Sequence, residues 1–123
     1  MRKTEELAKK FQGGLIVSCQ VQPDDPCYSI DFVVKMAKSA AWGGAVGLRA
    51  NSPDQIAAIK KEVDLPLIGL YKIWHDDTDV FITPTLEAAK QVWVLSSFQF
   101  HMFSVAIFIR SLLSLIHLLF RSM

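Results

Sequence analysis

GGAVGLRANSPDQIAAIKKEVDLPLIGLYK, residues 43–72, is the stretch whose reading decides the fold. It opens with an apolar run, Ala45-Val-Gly-Leu-Arg49-Ala50, entered through Gly43-Gly44. It closes with another, Leu67-Ile-Gly-Leu-Tyr-Lys72, entered through Pro66. Short continuous apolar runs bounded by glycine and proline read as buried strands. Between them Ser52 reads as an N-cap, Pro53 as the first helical residue, and Gln55 as the return partner of a capping box. Ile56, Ile59 and Val63 then recur at helical spacing, with Lys60, Lys61 and Glu62 on the solvated side. The stretch is strand, helix, strand.

The same grammar extends in both directions. Gly14-Leu-Ile-Val-Ser-Cys-Gln20 is an earlier apolar run entered through a double glycine, and Pro23-Asp-Asp-Pro26 forms a loop after it. Ser29 can cap a helix running to about Ala41, with Val33, Met36, Ala37, Ala40 and Ala41 on one face, and Gly43-Gly44 stops it. Downstream, Val80-Phe-Ile82 reads as extended, and Thr83-Pro84 opens a helix over Leu86–Val92. Strands and helices alternate, and the strands are continuously apolar. That pattern means an α/β fold with a parallel sheet covered by helices. A dinucleotide fold would place its glycine fingerprint after the first strand and at the start of a helix. Here the glycines precede or interrupt the strands, so no dinucleotide site is indicated.

Composition bounds the function. The chain has 13 Lys plus Arg against 12 Asp plus Glu in 123 residues, which gives no sequence-wide case for nucleic-acid binding. Cys19 and Cys27 are too few for a disulfide scaffold or a cysteine-based zinc site. Cys19 falls inside an apolar run and reads as a small buried side chain. The first residues, Met1-Arg-Lys-Thr-Glu-Glu6, are charged and lead into a short amphipathic run with Leu7, Ala8 and Phe11. A secretory signal needs an uncharged apolar stretch there, so the expectation is a cytoplasmic location with reduced thiols.

The averages hide a break. All 12 acidic residues, all six glycines and all five prolines lie within residues 1–92. The remaining 31 residues carry only Arg110 and Arg121 as formal charges, with five phenylalanines, six leucines and six serines. Two segments are therefore expected: an α/β part over 1–92 and an apolar helical tail over 93–123. Met102–Phe120 approaches the roughly 20 residues that span a bilayer, but Arg110 near its centre would cost about 2.5–3.5 kcal/mol, and His117 adds a further polar group. A membrane association is thus conceivable only through 93–123. The reading favours out-of-frame sequence instead, because the break falls inside an expected helix rather than at a linker.

Each apolar strand run also ends in a polar residue: Gln20, Arg49 and Lys72. Any strand turns polar where it leaves the core, which by itself accounts for each one. Three such residues at the carboxyl edge of a parallel sheet, where α/β proteins place ligands, support a functional reading. They would offer an amide, a fixed cation suited to oxyanions, and an amine able to act as a base once burial lowers its pKa.

Four strings in order carry a family resemblance: Gly14-Leu-Ile-Val-Ser-Cys-Gln20; Gly43-Gly-Ala-Val-Gly-Leu-Arg-Ala-Asn51; Asp64-Leu-Pro-Leu-Ile-Gly-Leu70 with Lys72; and Asp79-Val-Phe-Ile-Thr-Pro-Thr85. Over about residues 12–92 the sequence resembles the first third of the N-acylmannosamine-6-phosphate 2-epimerase family of bacterial sialic-acid catabolism. The resemblance implies a (β/α)8 TIM barrel, of which this chain would supply about three βα units. It implies interconversion of N-acetylmannosamine 6-phosphate and N-acetylglucosamine 6-phosphate by deprotonation and reprotonation at C2, with no metal or other cofactor. It makes Lys72 the acid/base and gives Gln20 and Arg49 substrate-binding and orienting roles. The partner would be a phosphorylated amino sugar, not nucleic acid.

The sequence also departs from the family. After the lysine the family commonly has an arginine and then an acidic or polar stretch, where this chain has Ile73-Trp-His75-Asp-Asp77. Asp76, Asp77 and Asp79 read as a solvated loop rather than metal ligands. The family's second acid/base, a glutamate, and its phosphate-gripping loops come later in the family's chain and have no counterpart here. The 123 residues alone are therefore expected to be an inactive part of an epimerase. Two other readings are a small membrane-tethered α/β binding module without catalysis, and a different phosphosugar-binding barrel.

Overall fold

A computed structural model describes residues 2–95. Helix α1 (Arg2–Phe11) precedes strand β1 (Ile16–Cys19), helix α2 (Ile30–Trp42), strand β2 (Gly47–Asn51), helix α3 (Pro53–Glu62), strand β3 (Leu67–Leu70) and helix α4 (Leu86–Leu95). The strands form one parallel sheet in the order β1-β2-β3, with Ser18, Arg49 and Ile68 side by side and Cys19, Ala50 and Gly69 in the next row. Parallel neighbours require crossovers, and α2 and α3 supply them. The α/β class and the parallel sheet are as the sequence indicated.

One side of the sheet holds the core. Cys19, Leu48, Ala50 and Leu67 are buried there against Val33 and Ala37 of α2, Ile56 and Ile59 of α3, and Val92 of α4. Val63, expected on the same helical face as Ile56 and Ile59, sits just past the end of α3 and packs on this cluster partly buried. The helices lie side by side, α2 against α3 and α3 against α4. At about 1.5–3 kcal/mol for each large apolar side chain removed from water, this cluster is what holds the sheet to its helices.

Local signals behave mostly as read. Ser29 caps α2, its Oγ accepting from the Phe32 N–H at 3.0 Å. The chain leaves that helix through Gly44 at φ +91°, a left-handed conformation open to glycine. One cap differs from expectation. Ser52 stands at φ 68° with no side-chain cap bond, so no capping box forms there. Before α4 the Thr85 hydroxyl accepts from the Ala88 N–H at 3.1 Å.

The amphipathic start is helix α1, set against the amino-terminal end of the sheet. Leu7 is buried, and the ring of Phe11 lies over Gly47, where a Cβ would stand 2.6 Å from Phe11 Cε1. Only glycine permits that approach. Helix α4 crosses the composition break, since Val92 is buried and Leu95 packs on the core. The rest of the expected tail, residues 96–123, lies outside the described residues. Among the described residues, no helix is long and apolar enough to cross a membrane.

Candidate functional site

Side chains two residues apart on a strand fall on one side of a sheet. Ser18, Arg49 and Ile68 share a row on the side away from the core. By the same alternation Gln20, directly after β1, and Lys72, two residues after β3, belong to that side. The three candidate residues therefore share a face, and all three are part-buried.

They do not share a level. Arg49 is the third of five residues in β2, and Asn51 ends that strand. The expectation that Arg49 lies at the carboxyl edge is corrected: its Cα sits two residues, or about 7 Å of strand rise, below the edge. The apolar run Ala45–Ala50 stops one residue before the strand does, because Asn51 is polar yet remains in the ladder opposite Leu70. Gln20 Nε2 donates to Ser18 Oγ at 2.9 Å along the same face.

Lys72 occupies a tightly built position. Its N–H donates to Asn51 Oδ1 at 2.8 Å. Just before it, the Tyr71 N–H donates to Thr83 Oγ1 at 3.1 Å, and the Tyr71 carbonyl accepts from the Thr83 N–H at 2.7 Å. Lys72 forms an antiparallel bridge with Ile82, and the Ile73 N–H reaches the Phe81 carbonyl at 2.8 Å. Residues 73–82 thus fold back on themselves, with Trp74 stacked on Phe81 at a centroid distance of 4.0 Å. The extended reading of Val80–Ile82 holds in this form. His75, Asp76, Asp77 and Asp79 are exposed along the fold-back.

Three buried polar residues organise this end of the sheet and were not singled out from the sequence as site builders: Asn51, Gln55 and Thr83. Gln55 Nε2 donates to the Val21 carbonyl at 3.1 Å, tying the exit of β1 to the first turn of α3. Its Oε1 is buried with no hydrogen-bond partner among the described residues. The available signal was Asn51, a polar residue closing an apolar strand. Cys19 lies on the core side, where burial pushes its thiol pKa up from 9.0, and Cys27 is exposed. A raised pKa keeps the thiol protonated, the opposite of what a nucleophile needs.

Comparison with known proteins decides the family. Residues 33–97, more than half of the chain, match the sequence model of the N-acetylmannosamine-6-phosphate epimerase family, NanE. The chain belongs to this family. A curated relative from Listeria monocytogenes, named as an N-acetylmannosamine-6-phosphate 2-epimerase, is 52% identical over 86 residues, covering 70% of this chain and 37% of the relative. One of the same name from Borreliella afzelii is 48% identical over 81 residues, covering 66% of this chain and 35% of the relative. The solved structure of the N-acetylmannosamine-6-phosphate 2-epimerase from Clostridium perfringens superimposes with a TM-score of 0.65 at 38% identity, covering 67% of this chain and 36% of that one. The chain thus spans a little over a third of the length of the curated relatives it matches. The family match contains Arg49 and Lys72, whereas Gln20 lies before it.

Proposed function

We propose that this chain forms the first three βα units of a (β/α)8 barrel that interconverts N-acetylmannosamine 6-phosphate and N-acetylglucosamine 6-phosphate in the cytoplasm. The observation that supports this most is the placement of Lys72. In a chain of this family, it stands just past the carboxyl end of β3, held by hydrogen bonds on both sides and sharing a face with Arg49 and Gln20. Barrel enzymes place their chemistry at that end.

In the opened sugar, C2 is adjacent to the C1 carbonyl. Removing its proton moves the C–H electron pair toward that carbonyl and leaves an enolate, with the negative charge on O1 and the acylamino group still on C2. Return of a proton to the opposite face of C2 inverts the centre, and no net oxidation occurs. Lys72 Nζ is assigned to one face as acid/base, a role worth about 10²–10⁴ in rate. The Arg49 guanidinium suits an oxyanion, and the Gln20 amide can both donate to and accept from sugar hydroxyl or acyl oxygens. A second acid/base and a phosphate grip are needed as well. The resemblance assigns them to later parts of the barrel, so residues 1–92 alone are expected to be inactive and the segment 93–123 to contribute nothing to the chemistry.

A hybrid tests this reading. Residues 1–95 replace the corresponding segment of the Listeria monocytogenes relative, and solvent deuterium entry at C2 of N-acetylmannosamine 6-phosphate is followed by NMR. Exchange by the hybrid and its loss in Lys72→Gln support the assignment. A folded hybrid that exchanges equally well with Lys72→Gln overturns it.

A further inference from the structure

The geometry points to Asn51 as a positioning residue for Lys72, its side-chain amide supplying the ladder rung that the backbone of β2 has given up. This rests on the acid/base reading of Lys72 and adds to it.

In a parallel ladder the residue that donates to the neighbouring strand also accepts from it, from the residue two further along that strand. The Ser52 N–H donates to the Leu70 carbonyl at 2.9 Å, so the next rung would run from the Lys72 N–H back to the Ser52 carbonyl. That carbonyl is taken. The chain turns at Ser52, φ 68°, into α3, and the Ser52 carbonyl accepts the Ile56 N–H at 3.1 Å as the first bond of the helix. Without a substitute acceptor, the part-buried Lys72 N–H would be left unpaired, at a cost that favours local distortion.

Asn51 Oδ1 fills the place at 2.8 Å. The Asn51 side chain is buried, and its backbone remains in register with Leu70, so the amide is held from its own strand. Thr83 performs the matching task on the opposite flank, bonding both the N–H and the carbonyl of Tyr71. Lys72 therefore leaves the sheet with its backbone fixed on two sides, which sets the direction in which its amine enters the open face. Catalytic geometry tolerates little displacement, and a shift of about 1 Å can cost roughly 10²-fold. The acceptor must be short and branched at Cγ, with an oxygen there. A leucine would fill the volume without accepting a bond, whereas an aspartate would accept it in the same shape.

The test uses Asn51→Leu and Asn51→Asp in the 123-residue chain, read by amide hydrogen exchange, and in the hybrid, read by steady-state kinetics. In the chain, Asn51→Leu is expected to speed exchange of the Lys72 amide at least tenfold while the Leu48 and Ile59 amides keep their protection, and Asn51→Asp to restore it. In the hybrid, Asn51→Leu is expected to lower kcat by 10- to 100-fold with KM within twofold, and Asn51→Asp to recover most of the loss. A Lys72 amide that exchanges at the native rate in Asn51→Leu overturns the proposal. So does an equal loss of protection at Leu48 and Ile59, or a KM effect alone. Failure of the acid/base reading looks different, because Lys72→Gln would then retain activity while the Asn51→Leu exchange effect persisted.

Discussion

The two faces of one three-stranded sheet are built from alternate residues of the same strands, and they differ in almost every physical respect. On one, Cys19, Leu48, Ala50 and Leu67 are sealed by three helices. On the other, Ile16 keeps 38% of its surface and Ser18, Arg49 and Ile68 are not fully buried. The first face stabilises the fold, and the second presents the candidate chemistry. Because strand periodicity is two, neighbouring residues point to opposite faces, and a single substitution alters one face while leaving the side chains of the other in place. Substitutions should therefore separate cleanly by face.

The largest separation is expected at Lys72. In the hybrid, Lys72→Gln should remove about 10²–10⁴ of the exchange rate with the circular dichroism spectrum unchanged. Next comes the core. Leu48→Ala should cost about 2–5 kcal/mol, as buried leucine truncations do. Ile16→Ala, on the open face, should cost about 1 kcal/mol or less in proportion to its lower burial. Urea midpoints of the two variants would break the comparison if they moved equally.

Cys19 provides a pH readout of the covered face. Burial holds its folded-state pKa above 9.0. The protonated thiol is the form present in both states below that pH, so folding carries no penalty there. Stability should then fall as pH rises past the ordinary thiol value toward the raised one, because the unfolded chain loses the proton first. Cys19→Ala should remove this slope. Thiol labelling of the native chain at neutral pH should modify exposed Cys27 quickly and Cys19 only on opening. The smallest effect is expected at the Ser29 cap, where Ser29→Ala should lower stability by about 1 kcal/mol, measurable as a small midpoint shift without change in the hybrid's kinetics.

How much of this was legible in the sequence depends on the range of the interactions. The strands and α2 and α3 were readable because glycine, proline and apolar periodicity act within a few residues. Gln55 shows where that reading fails. Three residues after a serine it has the spacing of a capping box, yet it is drawn inward to the Val21 carbonyl, 34 positions away. Ser52 in turn adopts a left-handed φ to start α3 where β2 ends. A tertiary hydrogen bond has overridden a local one. Arg49 fails in a second way: the apolar run ends at Ala50, but Asn51 extends the strand beyond it because its side chain has a use inside the ladder.

The sequence by itself determined the order of strands and helices and the sides of α2 and α3 that face the sheet, since apolar runs and helical spacing are properties of the local chain. Only the tertiary structure decided that Arg49 lies below the edge, that Phe11 rests on Gly47, and that Asn51 and Thr83 flank Lys72. Those facts depend on strand register and on which backbone groups run out of partners when a ladder meets a helix, and both are set by residues far apart in the chain.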